Sequence, residues 1–369
     1  MRLLLSFLIC ITAIVFTYRH TVQESLVIFV QQKAPASLLQ FFPTSNFNIP
    51  TPPTSQNPDS SARVPSAPTE MSVSRAIRQV FLAIEQSEGA GARVRRSIGG
   101  RNLRSLTPFL MLDHFKSSGP AGFPDHPHRG QETITYMMSG GFDHEDFNGN
   151  KGSLGPGDLQ FMTAGRGIMH SEMPHADKLT SGLQLWVDLP QKLKMCEPRY
   201  RDLRAAEIPI AKADDGKVTV KVISGESYGV ESVRDLAYTP VWLLDVTIKP
   251  GGRISQALPQ GWNAFSYVLS GCANFGPAGS SQPADQYHNV VFDQAGDLVE
   301  ASVPEDAEEE VNFVIVAGQP LDQKVVQYGP FVMNTQEEVY QAMLDFQTAS
   351  NGFENMRGWE SEIGKRSPH

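Results

Sequence analysis

Pro124-Asp125-His126-Pro127-His128-Arg129-Gly130-Gln131-Glu132 runs straight into Thr133-Ile134-Thr135-Tyr136-Met137-Met138-Ser139-Gly140. The second half alternates with period 2, is rich in β-branched and aromatic residues and closes on glycine, the pattern of a strand ending in a turn. The pattern recurs at Leu183-Gln184-Leu185-Trp186-Val187, at Val218-Thr219-Val220-Lys221-Val222 and over 241–248. Turn signals separate the runs: Gly155-Pro156-Gly157-Asp158, Asp214-Asp215-Gly216 and Pro250-Gly251-Gly252. Short strands at this spacing predict an all-β sandwich or barrel.

Tyr136-Met137-Met138-Ser139-Gly140 resembles Tyr267-Val268-Leu269-Ser270-Gly271, and Gly157-Asp158-Leu159 resembles Gly296-Asp297-Leu298. Two β units in tandem explain both matches, with one longer loop in the second copy. Residues 71–205 are then the first unit, 206–347 the second, and 348–369 a tail. Thr335-x-x-Glu338 has the spacing of a capping box, and Val339, Met343 and Phe346 follow at helical spacing. The second unit therefore ends in a short helix, expected to pack on a barrel.

The 369 residues include 31 basic and 40 acidic side chains, a formal charge of −9. No broad positive footprint for nucleic acid follows from that balance. Three scattered cysteines, Cys10, Cys196 and Cys272, cannot form a disulfide framework or a thiolate zinc site. Residues 3–16 are an apolar run too short to span a bilayer comfortably. Signal peptide, membrane anchor and organelle-targeting segment remain open readings of it. Residues 43–70 hold 7 Pro and 9 Ser or Thr, the composition of a disordered linker. Cytoplasm and nucleus are expected if the functional chain starts at Met71; membrane, secreted or organellar placement is expected if residues 1–30 act.

Side chains two apart on a strand share a face, so His126 and His128 can present two imidazoles to one point. If the alternation persists, Glu132, Ile134, Tyr136 and Met138 share that face. His170-Ser171-Glu172 repeats the spacing on a later segment. Two inward-looking strands with two such groups each can surround one metal and leave positions open for catalysis. The alternative is four buried polar groups in a hydrogen-bond network. The second unit places Ala257, Pro259 and Asn263 where the first has His126, His128 and Glu132, so one metal per chain is expected; His288 reads as a surface loop residue. His114, His144 and His175 read as surface or hydrogen-bonding residues, with substrate contact as the minor reading.

Arg93-Val94-Arg95-Arg96-Ser97-Ile98-Gly99, Pro108-Phe109-Leu110-Met111-Leu112-Asp113, Asp125-His126-Pro127-His128-Arg129-Gly130, His144-Glu145-Asp146-Phe147 and the stretch from Gly157 through Met162-Thr163-Ala164-Gly165-Arg166-Gly167 to His170-Ser171-Glu172-Met173-Pro174 resemble the pirin family. The resemblance runs from about Met71 past the helix. It implies a bicupin of two antiparallel β-barrels, with a divalent metal, most often Fe(2+), in the first. It implies His126, His128, His170 and Glu172 as ligands, with Glu132 as runner-up ligand or a group just behind them. It further implies a quercetin 2,3-dioxygenase-type activity, opening a flavonol ring with O2 and releasing carbon monoxide, with Glu172 as catalytic base. The alternative it implies is an iron-dependent transcription co-regulator that binds proteins, not nucleic acid, with Arg93, Arg95 and Arg96 facing an acidic partner or, failing that, paired along a strand edge. A monomer is expected.

Overall fold

Residues 72–175 and 179–366 are described in the computed structural model of this chain. The leader and linker readings for residues 1–70, and the start at Met71, lie outside them. No helix among the described residues is long and apolar enough to cross a membrane.

The first unit contains β1 (Ile77–Leu82), β2 (Ile84–Glu88), β3 (Ala92–Ile98), β4 (Phe109–Ser117), β5 (Phe123–His128), β6 (Gln131–Ser139), β7 (Phe142–Asp146), β8 (Lys151–Leu154), β9 (Leu159–Thr163), β10 (Ile168–Pro174), β11 (Thr180–Asp188) and β12 (Arg199–Leu203). The second follows with β13 (Ile210–Ala213), β14 (Val218–Ser224), the short pair β15 (Glu226–Ser227) and β16 (Val230–Glu231), β17 (Val241–Ile248), β18 (Arg253–Ala257), β19 (Asn263–Ser270), β20 (Cys272–Phe275), β21 (Gln282–Asp285), β22 (His288–Phe292), β23 (Leu298–Ser302) and β24 (Val311–Gly318). A hairpin of β25 (Val326–Tyr328) and β26 (Phe331–Met333) leads to helix α1 (Gln336–Thr348).

A seven-stranded sheet, β12-β9-β6-β11-β4-β3-β2, packs on a four-stranded sheet, β5-β10-β7-β8. The second unit repeats this as β1-β22-β19-β24-β17-β14-β13 over β18-β23-β20-β21. The expected all-β bicupin architecture holds, but neither pair closes into a barrel: each is a jelly-roll of two facing sheets. Apolar residues on alternate positions of the two large sheets meet back to back, with Ile134, Tyr136, Leu183 and Leu185 against Leu243, Phe265, Tyr267 and Val316. Phe109 meets Phe265 edge to face at 5.3 Å. Each such side chain contributes roughly 1.5–3 kcal/mol by burial.

Strand order corrects the internal alignment. β6 and β19 are true counterparts, so the Tyr136 and Tyr267 segments match. Gly157-Asp158-Leu159 enters β9, whereas Gly296-Asp297-Leu298 enters β23, the counterpart of β10. That second similarity joins two non-equivalent turns that share a turn's chemistry rather than a position. His288 begins β22 rather than sitting in a loop.

The chain ends cross between units. β1 pairs with β22 of the second sheet, and the chain returns to the first at β2. At the other end, α1 starts with the expected capping box at Thr335 and Glu338. Its apolar side joins Phe331 and Phe353, and with them Ile168 and Met162 of the first unit. Residues beyond it also pack there: Ser361 is bonded to Asp125, and Glu362 N donates to Glu145 at 2.7 Å. The ranges 71–205, 206–347 and 348–369 expected from sequence do not capture this exchange of arms.

Candidate metal centre

β5 and β10 are antiparallel neighbours, with His170 directly opposite His126 and Ile168 opposite His128. One imidazole-type nitrogen from each of His126, His128 and His170 lies within 4.8 Å of the other two. The Nε2 atoms of His126 and His170 are 3.0 Å apart. Nitrogens bound to one ion at about 2.0–2.1 Å stand roughly 3 Å apart, so the spacing suits a shared cation.

His126 Nδ1 lies 2.9 Å from Pro124 O, which holds the proton on Nδ1 and leaves Nε2 with its lone pair. His128 Nδ1 is 2.8 Å from the Gln131 side-chain amide; with the amide oxygen turned toward it, Nδ1–H donates, the ring is fixed and Nε2 keeps its lone pair. The buried Nε2 of His128 has no hydrogen-bond partner among the described residues, an orphan that a metal bond would satisfy. Burial, with His126 nearby, pushes the His128 and His170 imidazoles well below the usual histidine range. Neutral imidazoles are the form that ligates a metal.

Glu172 is buried but stands outside the three-nitrogen group. The register against β5 shifts between His170 and Glu172, which puts Glu172 opposite Phe123. Its carboxylate reaches the large sheet, 3.2 Å from Thr135 Oγ1 and 3.3 Å from Gln184 Nε2. Burial raises its pKa. His126, His128 and Glu172 share a cavity of about 660 Å³ whose wall includes Trp186, Phe115, Phe123 and Phe142. Trp186 meets the His128 ring edge-on at 5.1 Å.

Glu132, the runner-up ligand, is turned away. It accepts from Tyr238 N and Thr239 N, each at 3.0 Å, and from Thr163 Oγ1 at 2.7 Å. The alternation does not carry from β5 into β6, because Gly130 turns the chain at φ +77° and the two strands belong to different sheets. Ile134 and Tyr136 accordingly face the second unit, and Thr135 faces the cavity. The sequence reasoning missed Thr135, Gln184 and Trp186; alternation counted from Leu183 and Leu185 as buried residues on the other face was the available signal.

The other histidines lie apart. His114 is buried between Tyr267 Oη at 3.2 Å and Ser181 Oγ at 3.0 Å, and burial with Lys116 and Arg95 lowers it to about 4. His144 is buried, not on the surface; it stacks on Tyr200 and lies 3.4 Å from Asp202. His175 lies 3.0 Å from Asp143. Arg93 and Arg95 pair with Glu85, and Arg96 with Glu88 and Asp113. These are ion pairs within the chain along strands β2 to β4. In the second unit, Ile254, Val299 and Ala301 of β18 and β23 are packed into an apolar core where the first unit carries its histidines.

Comparison with known proteins follows the two units. The family model described as pirin matches residues 91–187, and that described as the pirin C-terminal cupin domain matches 243–352. Pirin of Homo sapiens is 49% identical over 295 residues, 80% of this chain and 100% of the relative. A pirin-like protein of Solanum lycopersicum is 49% identical over 78% of this chain and 97% of its own length. The crystal structure of quercetin 2,3-dioxygenase from Acinetobacter baumannii superposes with a TM-score of 0.68 at 28% identity, over 75% of this chain and 98% of that one. The bacterial pirin YhhW of Escherichia coli, solved in complex with nickel(II), shares the fold at a TM-score of 0.51 and 17% identity, over 66% of this chain and 100% of that one.

Proposed function

This chain belongs to the pirin family, and we propose that it is a metal-dependent protein with quercetin 2,3-dioxygenase-type activity, opening a flavonol ring with O2. The observation that carries the reading is the convergence of three imidazoles, those of His126 and His128 on the wall of a cavity that also presents the Glu172 carboxylate. The similarity to quercetin 2,3-dioxygenase supports the substrate class. His126, His128 and His170 would hold the ion; the family resemblance adds Glu172 as the fourth ligand and favours Fe(2+).

A divalent ion bound there supplies Lewis acidity, lowering the pKa of a flavonol 3-hydroxyl. The chain does the rest. Glu172 accepts the hydroxyl proton, and Thr135 and Gln184 orient its two oxygens. Phe115, Phe123 and Phe142 exclude water and flank the aromatic rings. Gln131 keeps the His128 ring in place.

Glu172→Gln should retain part of the metal and lose most turnover, followed as loss of flavonol absorbance under air. Full activity in that variant would remove Glu172 from the mechanism. No flavonol loss with the metal-loaded native protein would remove the substrate class.

A further inference from the structure

The floor of the cavity carries a polar row whose far half, Asp113 and Arg96, the reaction outlined above does not need. Thr135 of β6 pairs with Gln184 of β11, Gln184 with Asp113 of β4, and Asp113 with Arg96 of β3. Directly paired residues project from the same face of a sheet, and all four line the cavity. Adjacent strands stand about 4.8 Å apart, so Thr135 to Arg96 spans three steps, roughly 14 Å. Glu172 meets the near end through Thr135 and Gln184. Arg96 closes the far end, held by Asp113 through Nε at 2.8 Å and Nη2 at 2.7 Å, and by Glu88 at 2.6 Å. Residues two positions along the same strands are apolar: Val94, Phe115 and Met137.

Resting on the flavonol reading, we propose that Arg96 is a specificity-determining residue that binds phenolic oxygens on the distal ring of the substrate. Two carboxylates fix the guanidinium, and Nη1 has no partner among the described residues. It is therefore a rigid donor three strands from Thr135, at the opposite end of the row from Glu172. The distance selects a long aromatic ligand, with a chelating ketone and hydroxyl at one end and hydroxyls at the other. A single ring cannot reach both ends. The local charge of Arg96 with Asp113 and Glu88 is not cationic, so the far end favours an uncharged phenol over a carboxylate.

The test is anaerobic binding to metal-loaded protein, read by quenching of tryptophan fluorescence. The probes are a flavonol with two hydroxyls on the distal ring, the same flavonol with none, and one with a carboxylate there. The native chain should favour the dihydroxy compound about tenfold over the unsubstituted one, the worth of one charged hydrogen bond, and bind the carboxylate more weakly than the dihydroxy compound. Arg96→Met should bring the ratio near one by weakening the dihydroxy compound. Arg96→Lys, which keeps a donor, should retain part of it and serves alone if Arg96→Met does not fold. An unchanged ratio, equal weakening of both neutral ligands, or preference for the carboxylate would overturn the proposal. Because binding is read without turnover, absence of ring opening would refute the activity and leave this result standing.

Discussion

Asp345→Asn removes one charge from a buried pair and should destabilise the first unit far more than a surface substitution. The Arg129 side chain is 1% exposed and that of Asp345 4%, with Nη1 to Oδ2 at 2.7 Å. The guanidinium's other donors reach the carbonyls of Arg166 at 2.6 Å and Asn351 at 2.5 Å, which satisfy geometry but not charge. Leaving a buried cation without its counter-charge costs about 3–5 kcal/mol. At roughly 2 °C per kcal/mol for a chain of this size, the melting temperature should fall by about 6–10 °C. The pH dependence has a definite sign. Burial pushes the Asp345 carboxyl up, but bonds from Arg129, Gln341 and Asn351 outweigh it and hold it below the usual carboxylate range. A depressed folded pKa gives stability that is complete above the unfolded value near 4 and is lost as pH falls through the folded value. Calorimetry from pH 3 to 8 should show a constant gap between native and variant proteins from about pH 5 upward, closing in acid. A loss under about 1 kcal/mol at neutral pH, or a gap that persists in acid, would refute the reasoning.

Glu132→Gln should cost about 1–3 kcal/mol in urea unfolding, because an amide cannot accept from two backbone N–H groups and a hydroxyl as the carboxylate does; its metal content should match the native protein, and metal loss would restore Glu132 as a ligand. Gly130→Ala places a Cβ against the Val332 carbonyl oxygen at a positive φ. It should cost at least about 2 kcal/mol and lower metal occupancy by disturbing the strand that carries His128; native-like stability and occupancy would show that this corner is not constrained.

What could be read from sequence follows from what is local. The alternation around Ile134 and Tyr136, the turn glycines and the Thr335 capping box are encoded within a few residues, and each formed as expected. The three histidines were legible because two i, i+2 pairs on neighbouring strands leave little freedom. Continuity was the misleading assumption. Alternation stops at Gly130, where the chain changes sheet, so Glu132 and Tyr136 were assigned the wrong side. The exchange of β1 and α1 between units depends on pairings between residues some 200 apart, which no local pattern carries. The row from Thr135 to Arg96 was hidden for the same reason: its members come from four strands and are joined only by register.

Elemental analysis of the purified native chain, set beside His128→Ala and His170→Ala, bears most directly on the whole account. One transition-metal ion per chain in the native protein and near-complete loss in both folded variants is the expected outcome. A native protein that takes up no metal when supplied, or variants that keep full stoichiometry, would contradict it.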